Sequence, residues 1–139
     1  MAMRWAGVDY GKRRIGLAIG DPGEQIASPA RTLEATGTAA GDARLVLRWA
    51  AENQIEGFVV GLPLNMDGSV GSQAKLTQVF AEQLRRLGTL VVELWDERLT
   101  SYQADTLMRE AGLTRARRRR HRDALAAQVI LQAFLDARR

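Results

Sequence analysis

Cysteine is absent from the 139-residue chain, histidine occurs once, and lysine occurs only at Lys12 and Lys75. The lack of cysteine excludes disulfide bonds and thiolate metal sites. Long apolar runs are missing too: none approaches the roughly 18 residues of a membrane span, so no membrane association is expected. Met1 to Tyr10 lacks the basic, then apolar, then small-residue layout of a secretory signal, which makes a reducing cytoplasm the expected home.

What is abundant is arginine. Lysine and arginine together number 20 against 16 acids, for a net charge of +4 and a sequence pI near 10.3. Arginine presents a planar fork of donors that suits phosphate oxygens. Arg115, Arg117, Arg118, Arg119, Arg120 and Arg122 crowd into eight positions. Such a stretch repels itself unless a polyanion is near, so it reads as an arginine-rich loop for nucleic acid, poorly ordered over 112–119 without one. The length suits one domain over residues 1–139, and a hydrophobic fraction of 46% supplies a core.

Arg4 to Asp9 reads as a mostly apolar strand ending on an acid, and the Tyr10–Arg13 turn leads to a second strand over Ile15–Ile19. The Asp21-Pro22-Gly23 turn precedes a third strand, Gln25–Leu33, which Pro29 confines toward an edge. Helical periodicity follows over about Ala39–Gln54, then a buried strand over Gly57–Val60. A second helix opens near Asp67-Gly68-Ser69, with Ser69 or Ser72 as N-cap and Leu76, Val79, Phe80, Gln83, Leu84 and Leu87 as its core face. Thr89–Trp95 is the last strand, and helices are expected over about Ser101–Ala111 and Arg122–Ala137. The order implies an α/β fold whose five-stranded mixed sheet joins an antiparallel three-strand meander to two parallel strands, flanked by helices.

Three acids stand where packing alone does not call for them. Asp9 and Glu97 each close an apolar strand. Asp123 shares a helical stripe with Ala127, Ile130 and Phe134, so its carboxylate points the way the apolar face points. A buried unpaired charge costs several kcal/mol unless neutralised or coordinated. If the three converge, a cation must accompany them, and carboxylate oxygens without sulfur or imidazole select a hard ion, Mg²⁺ or Mn²⁺. Such ions serve phosphodiester cleavage by activating water and stabilising the departing oxygen.

Four blocks carry a family resemblance: Gly7-Val8-Asp9-Tyr10-Gly11-Lys12-Arg13-Arg14-Ile15-Gly16-Leu17-Ala18; Val60-Gly61-Leu62-Pro63 with Asp67-Gly68-Ser69; Asp96-Glu97-Arg98-Leu99-Thr100-Ser101; and Asp123-Ala124-Leu125-Ala126-Ala127 with Ile130-Leu131-Gln132. Over nearly its whole length the chain resembles the YqgF/RuvX-like proteins, described as Holliday-junction-resolvase-like or as pre-16S rRNA nucleases. The resemblance implies a ribonuclease-H-like fold, metal-dependent nuclease activity, and an acidic triad at Asp9, Glu97 and Asp123. It departs at Gly20, where many relatives carry serine, and in the density of its arginine run.

Around the triad, Lys12, Arg13 and Arg14 read as phosphate contacts or as turn solvation, and Arg98 and Thr100 either bond the scissile phosphate or fix Glu97. Asn65 and Ser69 precede a helix whose amides could take a phosphate, with capping the expected role of Ser69. His121 reads as a solvated neighbour of Asp123 or as a proton shuttle. The main expectation is an endonuclease acting on structured RNA, in the 5′ processing of the small-subunit rRNA precursor. The runner-up is a resolvase of branched four-way DNA; oligomeric state, monomer or homodimer, stays open. Two other classes are weighed: an RNA-binding protein without catalysis, and an actin- or sugar-kinase-like phosphotransferase, which would need two such domains around a cleft.

Overall fold

A computed structural model describes residues 2–98 and 115–138 of the protein. The elements run β1 (Trp5–Tyr10), β2 (Arg14–Gly20), β3 (Ala27–Glu34), α1 (Ala39–Glu52), β4 (Gly57–Leu62), α2 (Ser72–Leu87), β5 (Val91–Asp96) and α3 (Arg115–Ala137). The expected helix over Ser101–Ala111 lies outside the described residues. The strands form one sheet in the order β3-β2-β1-β4-β5. β1 is central, antiparallel to β2 and parallel to β4, and β5 joins β4 in parallel. This is the expected mixed sheet, and Pro29 lies on the outermost strand, beside an irregularity in the β2–β3 ladder, where proline is tolerated.

Alternation along β1 sorts its side chains between two cores. Ala6 and Val8 join Ile15, Leu17, Phe58, Val60, Val46, Trp49, Phe80 and Leu84 on the face covered by α1 and α2. Trp5 faces the other way, where Ala127, Ile130, Leu131, Phe134 and Leu135 of α3 close over it. Gly7 and Asp9 share the Trp5 face. α1 is started by Thr38, whose Oγ1 accepts from Gly41 N at 3.0 Å. α3 also secures the β3 edge: Gln132 Oε1 accepts from Ala27 N at 2.8 Å, and Gln128 Nε2 donates to Ala27 O at 3.0 Å. Among the described residues, no helix is long and apolar enough to cross a membrane.

Three expectations need correction. First, α3 begins at Arg115, so the backbone of Arg115, Arg117, Arg118, Arg119, Arg120 and Arg122 is helix and not loop. Arginine is a good helix former. A helix anchored at its C-terminal half propagates cheaply through such residues. Second, α2 buries Ala74, Thr77, Phe80, Ala81 and Leu84, while Leu76, Val79 and Leu87 are exposed. The small residues face inward, where α2 packs on α1 and the sheet; the periodicity alone fits either face. Third, Ser69 and Ser72 do not cap α2. The N-cap is Gly71, without a side-chain bond, and Ser72 is the first helical residue. Ser69 instead donates from N and Oγ to Asp67 Oδ1 at 2.9 and 2.6 Å, closing a turn of its own.

Candidate metal and nucleic-acid site

Asp9 is the penultimate residue of the central strand, opposite Gly16 of β2 in the antiparallel register. Gly16 has no side chain, and that absence places α3. A Cβ there would overlap the backbone carbonyl of Asp123. Gly7, two residues before Asp9 on the same face, repeats the arrangement: a Cβ would stand 2.6 Å from Ala127 O and 2.7 Å from Leu131 Cβ. Two glycines on adjacent strands thus let the α3 backbone lie directly on the sheet, which brings Asp123 beside Asp9. On the other flank, Gly61 of β4 leaves room for the Glu97 carboxylate, whose Oε2 would overlap a Cβ at that position. Glu97 follows β5, and its amide continues the pairing with Leu62 O at 3.2 Å.

The electrostatics follow from this placement. The Asp9 carboxyl is raised to about 6, first by burial and then by the Asp123 charge, with Arg122 pulling the other way. Glu97 is raised to about 7, first by burial, then by the charges of Asp9 and Asp96. Asp9 therefore lies within electrostatic reach of both other acids. The structure does not gather all three around one point: among the described residues, no three acidic or histidine side chains are grouped tightly enough to hold one ion as they stand. Asp123 is engaged elsewhere, its Oδ2 accepting from Arg14 Nε at 2.7 Å in an ion pair.

The donor set fits a hard divalent cation in chemistry and charge. It consists of carboxylate oxygens, two of them at pKa values that burial and mutual repulsion have raised, and one already paired with a positive group.

The surrounding residues divide. Lys12, Arg13 and Arg14 are exposed at the hairpin beside the site, which Gly11 N closes on Arg14 O at 3.0 Å. Arg98 does not fix Glu97. It pairs with Asp96, Nη2 to Oδ2 at 2.7 Å, and reaches Met66 O at 3.4 Å. Asn65 donates from Nδ2 to Ser69 Oγ at 2.9 Å, in the turn before α2. Thr100 lies outside the described residues, as do the side chains of Arg115–His121.

A second network stiffens β1 from the opposite face. The Tyr10 hydroxyl donates to Asp42 Oδ2 at 2.5 Å, and its ring stacks on Phe80 at 4.0 Å. Asp42 is buried, and its Oδ1 accepts from Thr36 N and Oγ1 at 2.6 and 2.8 Å. Sequence reasoning missed this network, the glycine seats and the Arg14–Asp123 pair. Glycine at alternate positions of otherwise apolar strands was the available signal for the seats.

The sequence profile of the RuvX family, described as Holliday junction resolvase, matches residues 3–137. The chain belongs to the RuvX family. A relative from Rhodobacter capsulatus named "Putative pre-16S rRNA nuclease" is 45% identical over 131 residues, spanning 94% of this chain and 82% of its own. One of the same name from Anaeromyxobacter sp. is 42% identical over 136 residues and 98% of both chains. Among solved structures, RuvC of T. thermophilus in complex with a Holliday junction substrate superposes with a TM-score of 0.59 at 18% identity, over 98% of this chain and 95% of that one. The Fowlpox virus resolvase, in complex with Holliday junction DNA, gives 0.61 at 11% identity, over 97% and 98%. Those two likenesses establish that this chain shares the ribonuclease-H-like fold of the resolvases.

Proposed function

We propose that this RuvX protein is a divalent-metal-dependent endonuclease that processes the 5′ end of the small-subunit rRNA precursor, with Asp9, Glu97 and Asp123 holding Mg²⁺ or Mn²⁺. The observation that carries the reading is the Asp9 carboxyl, raised to about 6 beside Asp123, with Glu97 raised to about 7 beside Asp9. Such a pool of negative charge on the central strand makes sense when a cation fills it. The relatives' name supplies the RNA substrate. The family description supplies the second reading, cleavage of four-way DNA junctions. A cytoplasmic location accords with the first.

When bound, the ion supplies Lewis-acid activation of water and stabilisation of the departing 3′ oxygen. The chain's own part is to hold three carboxylates on three separate elements. Asp9 is fixed by the central strand, Glu97 by the hydrogen bond its backbone N–H donates to Leu62 O, and Asp123 by the seat that Gly16 leaves for α3. Lys12, Arg13 and Arg14 line the hairpin beside Asp9, where a phosphate backbone would pass, and the six arginines among positions 115–122 add a density of basic charge that suits the same polyanion.

The test sets a precursor-rRNA leader and a four-way junction side by side, with Mg²⁺ and with Mn²⁺, and uses Asp9→Asn as control. The reading expects leader cleavage that vanishes in EDTA and in Asp9→Asn while substrate binding persists. Preferential junction cutting favours the second reading. Cutting by Asp9→Asn at the wild-type rate removes the activity from this site.

A further inference from the structure

Arg14 makes one contact of consequence, and it makes it with a residue the ion needs. Its Nε donates to Asp123 Oδ2 at 2.7 Å, across 109 positions of sequence. The side chain is 56% exposed, so nothing packs it in place, while Asp123 is 20% exposed at the floor. Arg14 lies on the same strand and face as Gly16, against the turn of α3 that carries Asp123. The guanidinium spends only Nε on Asp123, and its Nη groups make no contact among the described residues. Two further donor groups of the planar fork thus remain for a phosphate oxygen.

We infer that Arg14 is a positioning residue that stands in for the divalent cation: it holds Asp123 in place before the ion arrives, competes with the ion for that carboxylate, and passes to a phosphate when ion and nucleic acid are bound. The inference rests on the reading of Asp9, Glu97 and Asp123 as the ion's ligands. Three observations carry it. A monovalent cation already sits on one of the three carboxylates. Among the described residues, the three are not gathered for one ion. The arm that makes the contact is long, solvated and anchored at a strand end, so it can leave without disturbing the core. An exposed ion pair is weak enough for a dication to displace and strong enough to reduce apparent ion affinity.

Calorimetric titration of Mn²⁺ into the full chain without nucleic acid tests the competition, with wild type, Arg14→Gln and Arg14→Lys. Arg14→Gln removes the competitor, so Mn²⁺ affinity rises roughly two- to fivefold. Arg14→Lys keeps a charge without the planar fork and falls between the two. Binding of an RNA leader in Ca²⁺ moves the other way in Arg14→Gln, weakening severalfold, because a phosphate contact is lost. Opposite signs in the two titrations cannot come from a general loss of structure. If Arg14→Gln binds Mn²⁺ no more tightly than wild type does, or both affinities fall together, the stand-in role is overturned. If neither wild type nor variant binds Mn²⁺, the ion site itself fails, and this inference with it.

Discussion

Replacing Asp9 by asparagine should make the ion-free protein more stable while abolishing cleavage. Asparagine keeps the shape of the side chain and removes the charge. The folded carboxyl titrates at about 6 against an ordinary 3.8, so between those pH values the native state keeps a proton that the unfolded chain has lost. Stability conferred by the protonated form is complete below about pH 4, declines through this window, and reaches its floor above about pH 6. A shift of about two units corresponds to a ceiling of about 3 kcal/mol. Asp9 keeps some exposure to solvent, and water and Arg122 screen part of the charge, so roughly 1–2 kcal/mol is the expected gain at pH 8. Urea unfolding in EDTA at pH 4, 5, 6, 7 and 8 measures it. The variant should match wild type at pH 4, pull ahead through pH 6, and hold a constant lead above pH 7. A lead that does not vary with pH, or a variant less stable at pH 8, refutes the claim that the Asp9 charge is held at a cost.

Other perturbations probe the remaining links. Gly16→Ala places a methyl group against the Asp123 carbonyl; because the obstacle is helix backbone, the overpacking cost is expected at or above about 3 kcal/mol, with cleavage lost, by denaturant unfolding and leader assay. Tyr10→Phe keeps the stack on Phe80 but takes a donor from buried Asp42, which should cost about 1–3 kcal/mol in the same unfolding assay and leave Mn²⁺ affinity within twofold. Cleavage at limiting Mn²⁺ should fall as pH drops through about 7, where Glu97 takes up a proton and leaves the ion, and the midpoint should move to lower pH as Mn²⁺ is raised. A pH profile whose midpoint ignores the ion concentration would separate Glu97 from ion binding.

The parts of this protein that could be read from its sequence are those set by local pattern. The strand that carries Asp9 and runs one residue past it, the hairpin to Ile15 and the stripe of Asp123 with Ala127, Ile130 and Phe134 depend on neighbours within a few positions, and the structure holds each of them. What escaped depends on contacts between distant segments. Gly7 and Gly16 look like weak points in strands until α3, more than 100 residues later, needs their missing side chains. The Arg14–Asp123 pair spans the same distance. On α2, Leu76 and Val79 suit an apolar face as well as Ala74 and Thr77 do; only the closeness of the packing selects the small residues. In the arginine run, self-repulsion is the local signal, and it is outweighed because the helix that the run extends is anchored on the sheet.

The most direct test of the shared cation is thermal unfolding of the ion-free protein at pH 8 as Mn²⁺ is added. At about a hundredfold excess over Kd, one bound ion adds about 2.7 kcal/mol to wild-type stability, a rise of roughly 10 °C. Asp9→Asn should start higher and rise little. If both proteins climb equally with Mn²⁺, the ion binds somewhere other than the carboxylates of Asp9, Glu97 and Asp123, and the account is contradicted.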